Sequence, residues 1–239
     1  MAIQQMLLGI PAPSSGGSGI DIESNGLIAY WNAISENVQN QSSASTINCS
    51  VSSNHLYSNT TSMTWEASDG GRVIVPSGGS NFFEWLNTIT FNGGTAFTYF
   101  WCGLKLASGW WMTATNNDGN NFIGITGSLH RLDSNNDVKG DLNAGSGYAE
   151  NTIHCFYMTM ETNGNMTWYH NGSNVGSVAF GGGGNAWNID SAVFKFIDRY
   201  SGTSLHTEGR LHFSGFYDRA LSSSEVSSNW SAHQTRLGI

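Results

Sequence analysis

Short runs of apolar residues alternate with clusters of turn-forming residues from Gly26 to the C-terminal region. Asn, Asp, Gly and Ser fill the intervals, as in Asn92-Gly93-Gly94, and these residues favour turns and positive backbone φ angles. Many short strands separated by such turns are typical of a β-sandwich or a β-barrel. The apolar runs that we expect to form strands are 27–31, 72–75, 88–91, 97–106, 121–125, 154–160, 166–169, 192–197 and 210–217.

The sharpest local signal is a pair of hairpins in the second half of the chain. Asn163-Gly164 lies between the runs 154–160 and 166–170, and Asn171-Gly172 directly follows the second run. Asn-Gly favours type I′ hairpin turns, because both central residues of such a turn need a positive φ. We therefore expect three consecutive antiparallel strands, with alternate residues of the first strand on opposite faces. Phe156, Met158 and Met160 share one face of that strand, and Cys155, Tyr157 and Thr159 share the other.

The residues from Leu221 onward predict a helix. Ser222 at the N-cap and Glu225 three residues later form the pattern of a capping box, and Leu221 and Val226 occupy the positions of a hydrophobic staple. Trp230 follows Val226 at a spacing of four residues and therefore shares its helix face. We expect a short C-terminal helix that packs on the rim of the sandwich.

Composition and charge exclude several classes of function. The chain has 239 residues, of which 39% are hydrophobic and 12% aromatic, enough for one large all-β domain with a packed core. Its formal net charge is −8 and its basic residues are scattered. We expect no nucleic-acid partner, because phosphate binding requires clustered Lys and Arg side chains. We also expect no membrane insertion, because no apolar stretch approaches the ~18 residues of a spanning helix.

The cysteines Cys49, Cys102 and Cys155 are widely separated and form no CxxC motif. An odd, sparse set of cysteines in a chain of this size is not the pattern of a disulfide framework. Cys102 and Cys155 fall inside apolar runs, where a thiol packs as a small hydrophobic group. The N-terminal peptide lacks the basic region and cleavage site of a signal peptide. We therefore expect three reduced thiols and folding in a reducing cytoplasm.

Three stretches of the chain carry a resemblance to a known group of folds. They are the opening apolar run after Gly26, the His154 strand with its Tyr-His-Asn-Gly turn at 169–172, and the closing strand with Asp-Arg-Ala-Leu-Ser at 218–222. This combination resembles concanavalin A-like, laminin-G-type domains. For residues 20–239 the resemblance implies an all-β fold, a two-sheet antiparallel jelly-roll sandwich of concanavalin A-like type with a short C-terminal helix. Such sandwiches serve lectins, enzymes and assembly proteins, so the fold alone does not specify a function.

The first 19 residues differ from the rest of the chain. Residues 1–10 are apolar and uncharged, and residues 11–19 are rich in Pro, Ser and Gly, as a linker is. We predict that residues 1–19 form an attachment arm and linker. Its partner-anchoring side chains are Ile3, Met6, Leu7 and Leu8. The peptide 1–9 is similar to the opening peptide of virion structural proteins of tailed phages.

The two resemblances together imply a virion structural protein of a tailed phage, displayed on the capsid as a decoration or on the tail as an appendage. Such a protein is made in the host bacterial cytoplasm, assembles with other virion proteins and is expected to form a homo-oligomer. The alternative is a carbohydrate-binding, lectin-like module or a receptor-binding protein that recognises a glycan on the host surface. The sequence does not distinguish a capsid from a tail position.

The sequence carries no catalytic signature. Glycosidases that share this sandwich use two carboxylates, and neither Glu66 nor Glu161 starts a Glu-x-Asp-x-x-Glu run. The histidines form no i, i+4 zinc pair, and no glycine-rich phosphate loop is present. We predict that the protein is not an enzyme and has no cofactor, with bound calcium as the open exception.

The segment 133–137, Asp-Ser-Asn-Asn-Asp, has two interpretations. Hard cations bind several oxygen ligands, so Asp133 and Asp137 are candidate calcium ligands. The segment lacks the spacing and the glycine of an EF-hand loop, and Asn and Asp also favour turns for conformational reasons. A turn without a metal is the alternative.

Four aromatic residues form a candidate binding surface. Tyr99 and Trp101 alternate with Phe100 and Cys102 in one apolar run, so they face the opposite side of that strand from the latter pair. Exposed aromatic side chains mark sugar-stacking platforms and protein interfaces. The candidate platform consists of Tyr99, Trp101, Trp110 and Trp111. A second layer that covers this face is the alternative.

Overall fold

The computed structural model of the chain describes residues 21–34, 37–53, 55–58, 63–75, 83–85, 89–92, 94–106, 110–115, 122–134, 138–145, 147–180, 188–191, 194–196 and 209–239. Within these ranges no helix is long and apolar enough to cross a membrane. The predicted arm, residues 1–19, lies outside them.

Strands make up most of the described residues, and one α-helix, α1 (Ser223–Leu237), lies at the C-terminal end. A 3-10 turn at Ser68–Gly70 precedes β6. In chain order the strands are β1 (Leu27–Asn32), β2 (Val38–Gln39), β3 (Thr46–Ile47), β4 (Leu56–Ser58), β5 (Thr64–Glu66), β6 (Arg72–Val75), β7 (Phe83–Trp85), β8 (Ile89–Asn92), β9 (Phe97–Lys105), β10 (Trp110–Thr115), β11 (Phe122–Thr126), β12 (Leu129–Ser134), β13 (Val138–Asn143), β14 (Thr152–Met160), β15 (Asn165–His170), β16 (Ser173–Ala179), β17 (Asn188–Ser191), β18 (Phe194–Phe196) and β19 (Gly209–Tyr217).

Two large antiparallel sheets form the sandwich. The eight-stranded sheet has the order β16–β15–β14–β9–β19–β6–β5, and β1 also pairs with β19. The nine-stranded sheet has the order β13–β12–β11–β10–β18–β7–β4–β3–β2, and β17 and β8 form a separate two-stranded sheet. Each β19 neighbour is distant in sequence, as expected for a sandwich in which chain reversals connect the sheets. The predicted all-β, two-sheet antiparallel sandwich with a C-terminal helix is confirmed.

The main hydrophobic core fills the space between the two large sheets. The eight-stranded sheet contributes large side chains such as Trp31, Phe97 and Trp168, and the nine-stranded sheet contributes residues such as Ile47 and Phe83. All of these side chains are fully buried. Removal of apolar surface from water is the dominant stabilising contribution in such a core.

A second core lies on the other face of the eight-stranded sheet, under α1. Tyr30, Phe100, Tyr157 and Phe213 point to this side and are buried together with helix residues. The helix residues that enter this core are Val226 and Leu237, with Trp230 packed against it. The helix therefore lies on a sheet face and not on the rim. Because of this, both faces of β14 are buried, whereas the alternation in the sequence is typical of a half-buried strand.

The predicted hairpins are present, with one difference in their turns. Asn171 and Gly172 have φ angles of 47° and 74°, as a type I′ turn between β15 and β16 requires. Between β14 and β15, Gly164 has a φ of 84° and accompanies a longer loop, closed by the bond from the Gly164 N–H to the Glu161 carbonyl. The same dipeptide thus occurs in two kinds of turn: a four-residue loop between β14 and β15 and a two-residue loop between β15 and β16.

The N-terminus of α1 has the predicted capping box. The Glu225 N–H donates to Ser222 Oγ at 3.3 Å, and the Ser222 N–H donates to Glu225 Oε2 at 2.7 Å. The helix is 15 residues long and ends at Gly238, whose φ of 73° is the left-handed conformation that glycine adopts readily. The cap begins the helix at the point where Leu221 enters the second core.

Candidate functional site

Two side chains of the predicted aromatic platform belong to the core. Tyr99 is 0% and Trp101 2% exposed, and both lie in the cluster between the sheets. Tyr99 stacks on Phe216, with 4.6 Å between the ring centroids. The nine-stranded sheet covers this face of β9, so these two residues form no exposed platform; the covering layer is the alternative that the sequence left open.

Trp110 and Trp111 lie at the start of β10, where their backbone pairs with Thr126 and Ile125 of β11. Their side chains are not among the described groups, so their part in a binding surface stays a prediction. The same holds for the predicted anchoring residues of the arm, Ile3, Met6, Leu7 and Leu8, which precede the first described residue.

The structure describes the side chain of neither predicted calcium ligand, Asp133 or Asp137. The backbone of Asp133 lies in β12 opposite Lys139 of β13, and Asp137 lies in the gap between these strands that the structure does not describe. Among the side chains that are described, no group of three or more His, Cys, Asp or Glu residues has the arrangement of a metal site. Calcium binding at this turn stays a prediction.

A different surface combines an exposed aromatic ring with oriented amides. Val38, Ile47 and Leu56 of β2, β3 and β4 are buried in the main core, so their immediate neighbours lie on the outer face of the nine-stranded sheet. Tyr57 is 39% exposed on this face. We call the set the amide–tyrosine surface; it consists of Asn37, Gln39, Thr46, Asn48, Ser50 and Tyr57, of which Thr46 is buried beneath its neighbours at 7% exposure.

Backbone pairing fixes the spacing of this surface. Thr46 of β3 lies opposite Gln39 of β2 on one side and Tyr57 of β4 on the other. Directly opposed residues in an antiparallel pair have Cβ atoms ~4.5–5.5 Å apart. Gln39, Thr46 and Tyr57 therefore form a row across three strands. The backbone register continues this row beyond Tyr57 to Glu84 of β7 and Lys195 of β18.

Hydrogen bonds orient the amide groups of this surface. Gln39 Nε2 donates to Asn48 Oδ1 at 2.9 Å, and Asn37 Nδ2 donates to Ser50 Oγ at 3.2 Å. Each amide still has further donor and acceptor positions, because a carboxamide has two N–H donors and a carbonyl with two lone pairs. The surface thus offers oriented donors and acceptors without any formal charge.

The ring of Tyr57 is positioned by its neighbour His55. The Cys49 N–H donates to His55 Nδ1 at 3.0 Å, which fixes the imidazole. The imidazole meets the Tyr57 ring edge to face, with 6.3 Å between centroids and an interplanar angle of 74°. An exposed aromatic face of fixed orientation beside planar amides is suited to stack on one face of a sugar ring and to bond its hydroxyl groups.

A second polar cluster is buried and has a structural character. His154 Nδ1 and His170 Nε2 are 2.8 Å apart, and His154 Nε2 is 2.8 Å from the Ala149 carbonyl. His130 Nε2 is 2.6 Å from the Tyr148 hydroxyl. Burial lowers the pKa of His130 to about 4, with a contribution from His170. Burial and the neighbouring His154 also lower the pKa of His170 to about 4. His130 and His170 are therefore neutral at pH 7.

Two carboxylates around the start of α1, Glu23 and Glu225, are ion-paired with Arg219. Arg219 contacts Glu225 at 2.8 Å and Glu23 at 3.7 Å, beside a cavity of about 390 Å³ that Asp21 and Asn229 also line. The hydrogen bonds from Arg219 lower the pKa of Glu225 to about 2. A general acid in a glycosidase needs a raised pKa. Glu225 therefore caps the helix and pairs with Arg219, as its geometry indicates.

Comparisons with known structures establish the fold. The binding domain of Paraclostridial Mosquitocidal Protein 1 is similar over 87% of this chain, with a TM-score of 0.68 and 16% identity. A botulinum neurotoxin type C structure, described by the dependence of cell entry on two ganglioside molecules, has a TM-score of 0.64 and 14% identity over 87% of this chain. The botulinum neurotoxin DC binding domain in complex with rat synaptotagmin II has a TM-score of 0.62 and 12% identity over 87%.

The likeness is to clostridial neurotoxin receptor-binding domains, and it covers only part of them. This chain spans 51% of the type C chain and 52% of the other two. No family model matches the sequence, and the search of curated proteins found no match. At these identities the likeness shows a shared sandwich fold.

The amide–tyrosine surface was not predicted from the sequence. Tyr57 stands alone between Leu56 and Ser58, in a stretch that has no long apolar run. The available signal was the alternation of these three residues together with the density of Asn, Gln and Ser in residues 37–53. Only the pairing of β2, β3 and β4 shows that these polar residues share one face with the tyrosine.

Proposed function

We propose that this chain is a non-enzymatic recognition module that binds a neutral glycan on a cell surface through the amide–tyrosine surface. The observation that carries the proposal is the exposed ring of Tyr57, in register with Thr46 and Gln39 and on the same face as the hydrogen-bonded Gln39–Asn48 amide pair. Large apolar side chains exposed on an otherwise polar face often mark binding sites. The prediction that the protein is not an enzyme is part of this proposal.

The structural likenesses support recognition over assembly alone. Similar sandwiches occur in binding domains whose descriptions name two ganglioside molecules, SialylT and rat synaptotagmin II. This chain matches about half of each of those domains, so their ligands enter here as support for a class of function. A glycan or receptor on a cell surface is that class.

Charge favours a neutral glycan over an acidic one. The formal net charge of the chain is −8, and the amide–tyrosine surface itself contains no basic side chain. Anionic sugars such as sialic acids bind where Arg or Lys side chains pair with the carboxylate. A surface of amides, hydroxyl groups and one aromatic ring instead matches the hydroxyl groups and the apolar faces of neutral hexoses.

A glycan array tests the proposal. We expect the full chain to bind neutral glycans, and Tyr57→Ala to weaken the best of these interactions by about tenfold, since an aromatic contact contributes ~0.5–1.5 kcal/mol beyond burial and tenfold corresponds to ~1.4 kcal/mol. Asn174→Ala, at an exposed position on β16 of the other sheet, is the matched control and should bind as the wild type does. An array on which the wild type binds nothing, or equal binding by Tyr57→Ala, contradicts the proposal.

Display on a phage virion is a second proposal, and it rests on the N-terminal peptide. Residues 1–10 hold Ile3, Met6, Leu7 and Leu8 without any charge, followed by the Pro/Ser/Gly segment. Insertion of such side chains into a partner buries apolar surface at ~25 cal/mol per Å², although ordering of the segment offsets part of the gain. A displayed sandwich that recognises a host glycan satisfies both proposals.

Deletion of residues 1–19 tests the arm. We expect the truncated chain to keep the melting temperature and the glycan binding of the full chain. When the full chain and the truncated chain are each expressed during infection, only the full chain should co-purify with phage particles. Full-length chain with Leu7→Asp and Leu8→Asp is the matched variant, since it removes the apolar contacts and keeps the length. A truncated chain that unfolds, or one that still co-purifies with particles, refutes the anchoring role.

A further inference from the structure

Cys102 and Cys155 are far apart in the sequence but directly opposed in the structure. Cys102 lies in β9 and Cys155 in β14, and the strand register pairs these two residues with each other. Both thiols are free and fully buried in the second core, on the face that α1 covers. Cys49 belongs to the main core and contacts Ser52.

The backbone bonds of Cys155 define the type of this cross-strand pair. Its N–H donates to Asn171 Oδ1 at 2.8 Å, and its carbonyl accepts from the Asn171 N–H, also at 2.8 Å. Both polar groups therefore point away from β9. In an antiparallel ladder this makes Cys102 and Cys155 a non-hydrogen-bonded pair, the type with the closer Cα atoms, ~4.5 Å apart.

This geometry satisfies the requirements of a disulfide. A disulfide spans Cα atoms ~4.4–6.8 Å apart, a range that includes the spacing of a non-hydrogen-bonded pair. The two thiols already interact: burial raises the pKa of Cys102 well above its usual value, and a hydrogen bond with the Cys155 thiol adds to this. A high thiol pKa slows disulfide exchange in the folded protein, because the thiolate is the reacting species.

We propose that Cys102 and Cys155 are the site of a cross-strand disulfide, which forms when the chain meets a small disulfide oxidant such as oxidised glutathione. The Cys102 thiolate attacks one sulfur of oxidised glutathione, breaks its S–S bond and releases one glutathione thiolate. The Cys155 thiolate then attacks the Cys102 sulfur of the mixed disulfide and releases the second glutathione. Two protein thiols are oxidised, one oxidised glutathione is reduced to two glutathione molecules, and the two thiol protons pass to the released thiolates.

The disulfide joins β9 to β14, the two strands at the centre of the eight-stranded sheet. A chain that acts outside a cell meets oxidising conditions, in which such bonds persist. Opening of α1 or oxidation during folding is required for the oxidant to reach the pair, because both thiols lie under the helix. The bond therefore forms slowly in the native protein and quickly during refolding.

Thiol counting on the full chain tests this inference in two arms. In one arm, native protein is incubated with oxidised glutathione; in the other, protein refolds from urea in a glutathione redox buffer. After quenching and unfolding, maleimide labelling should find one free thiol in the refolded sample, and peptide mapping should find Cys102 joined to Cys155 and Cys49 labelled. The bond should raise the melting temperature by about 5–10 °C.

Single variants distinguish the pair from other oxidation products. Cys49→Ser should still form the disulfide, so that maleimide labels neither of its two remaining cysteines after oxidation. Cys155→Ser cannot form this disulfide, so both of its remaining cysteines should be labelled and its thermal stability should not increase. Three labelled thiols in both arms for the wild type, or a map in which Cys49 is joined to either partner, overturns the inference.

Discussion

Lowering the pH from 7 to 5 is expected to remove most of the conformational stability of this domain, because four buried histidines are neutral in the fold and protonate on unfolding. The pKa of His130, of His170 and of His212 is lowered from 6.5 to about 4, and that of His233 to about 3, in each case mainly by burial. At pH 5 the unfolded chain therefore binds protons that the native state excludes, and stability falls as the pH falls.

The magnitude follows from the size of the shifts. Above pH 6.5 each histidine is mostly neutral in both states and has little effect on the free energy of unfolding. Between pH 6.5 and 5 the unfolded chain binds a proton that the native state does not, and each pH unit of this difference corresponds to ~1.4 kcal/mol. At pH 5 each histidine has therefore reduced the free energy of unfolding by about 2 kcal/mol. Four such groups reduce it by about 6–8 kcal/mol, with the half-buried His170 contributing least. Domains of this kind are stable by ~5–15 kcal/mol, so the change approaches the whole stability.

The surroundings of these histidines do not outweigh the cost of burying a positive charge. His212 Nδ1 is 3.1 Å from the Gly71 carbonyl, and Asp69 raises its pKa only in part, because burial and Arg72 act against it. His233 stacks on Phe213 with 4.5 Å between centroids, and Arg236 nearby further lowers its pKa. Glu225, with a pKa lowered from 4.5 to about 2, loses its stabilising contribution only below pH 4.5, so its effect falls in a separate window.

Urea unfolding at intervals between pH 7.5 and 4.5 measures this dependence. His233→Phe is the most informative variant, because phenylalanine keeps the stacking on Phe213 and removes the titrating group. We expect it to lose less stability between pH 7 and 5 than the wild type by about 2 kcal/mol. Gln234→Ala, at a partly exposed and non-titrating position of the same helix, is the control and should leave the slope unchanged. A wild-type stability that stays constant from pH 7 to 5 contradicts the prediction.

Local signals in the sequence predicted local structure well. The Asn171-Gly172 turn and the capping box of Ser222 and Glu225 depend on residues close in the chain, and both are present. The first Asn-Gly dipeptide predicted the hairpin but not its loop, because Asn163 needs a positive φ for a type I′ turn and only Gly164 adopts one. The loop between β14 and β15 has four residues, and the dipeptide alone does not reveal where the flanking strands end.

Features that depend on pairing between distant strands could not be predicted. The sequence gives no indication that β9 and β14 align Cys102 with Cys155, or that Gln39, Thr46 and Tyr57 form one row. The helix position is a further example: its apolar face predicted docking, but the rim and a sheet face are equally compatible with that pattern. Once α1 covers the eight-stranded sheet, its central strands β14 and β19 are buried on both sides.

For the replacement of Trp101 by alanine, the sequence and the structure predict opposite effects on binding and on stability. As part of an exposed platform, its replacement by alanine would abolish binding and leave stability unchanged. In the structure its ring is 2% exposed and lies in the main core, where a Cβ at Gly103 would come within 2.5 Å of it. Loss of a buried tryptophan of this size costs about 3–5 kcal/mol, as transfer of the ring to water and the remaining cavity both contribute.

We therefore expect Trp101→Ala to shift the urea midpoint strongly downward and to leave glycan binding per folded molecule unchanged. Tyr57→Ala is the reciprocal variant: its side chain is 39% exposed, so its stability should stay within about 0.5 kcal/mol of the wild type while its glycan binding weakens about tenfold. Where Trp101→Ala is too unstable to assay, Trp101→Phe keeps much of the core volume and allows the binding comparison. Two outcomes would contradict this: a urea midpoint of Trp101→Ala equal to that of the wild type, or a loss of binding in folded Trp101→Phe. Either would indicate that this face of β9 is exposed and takes part in recognition, and it would remove the basis for placing the binding site on β2, β3 and β4.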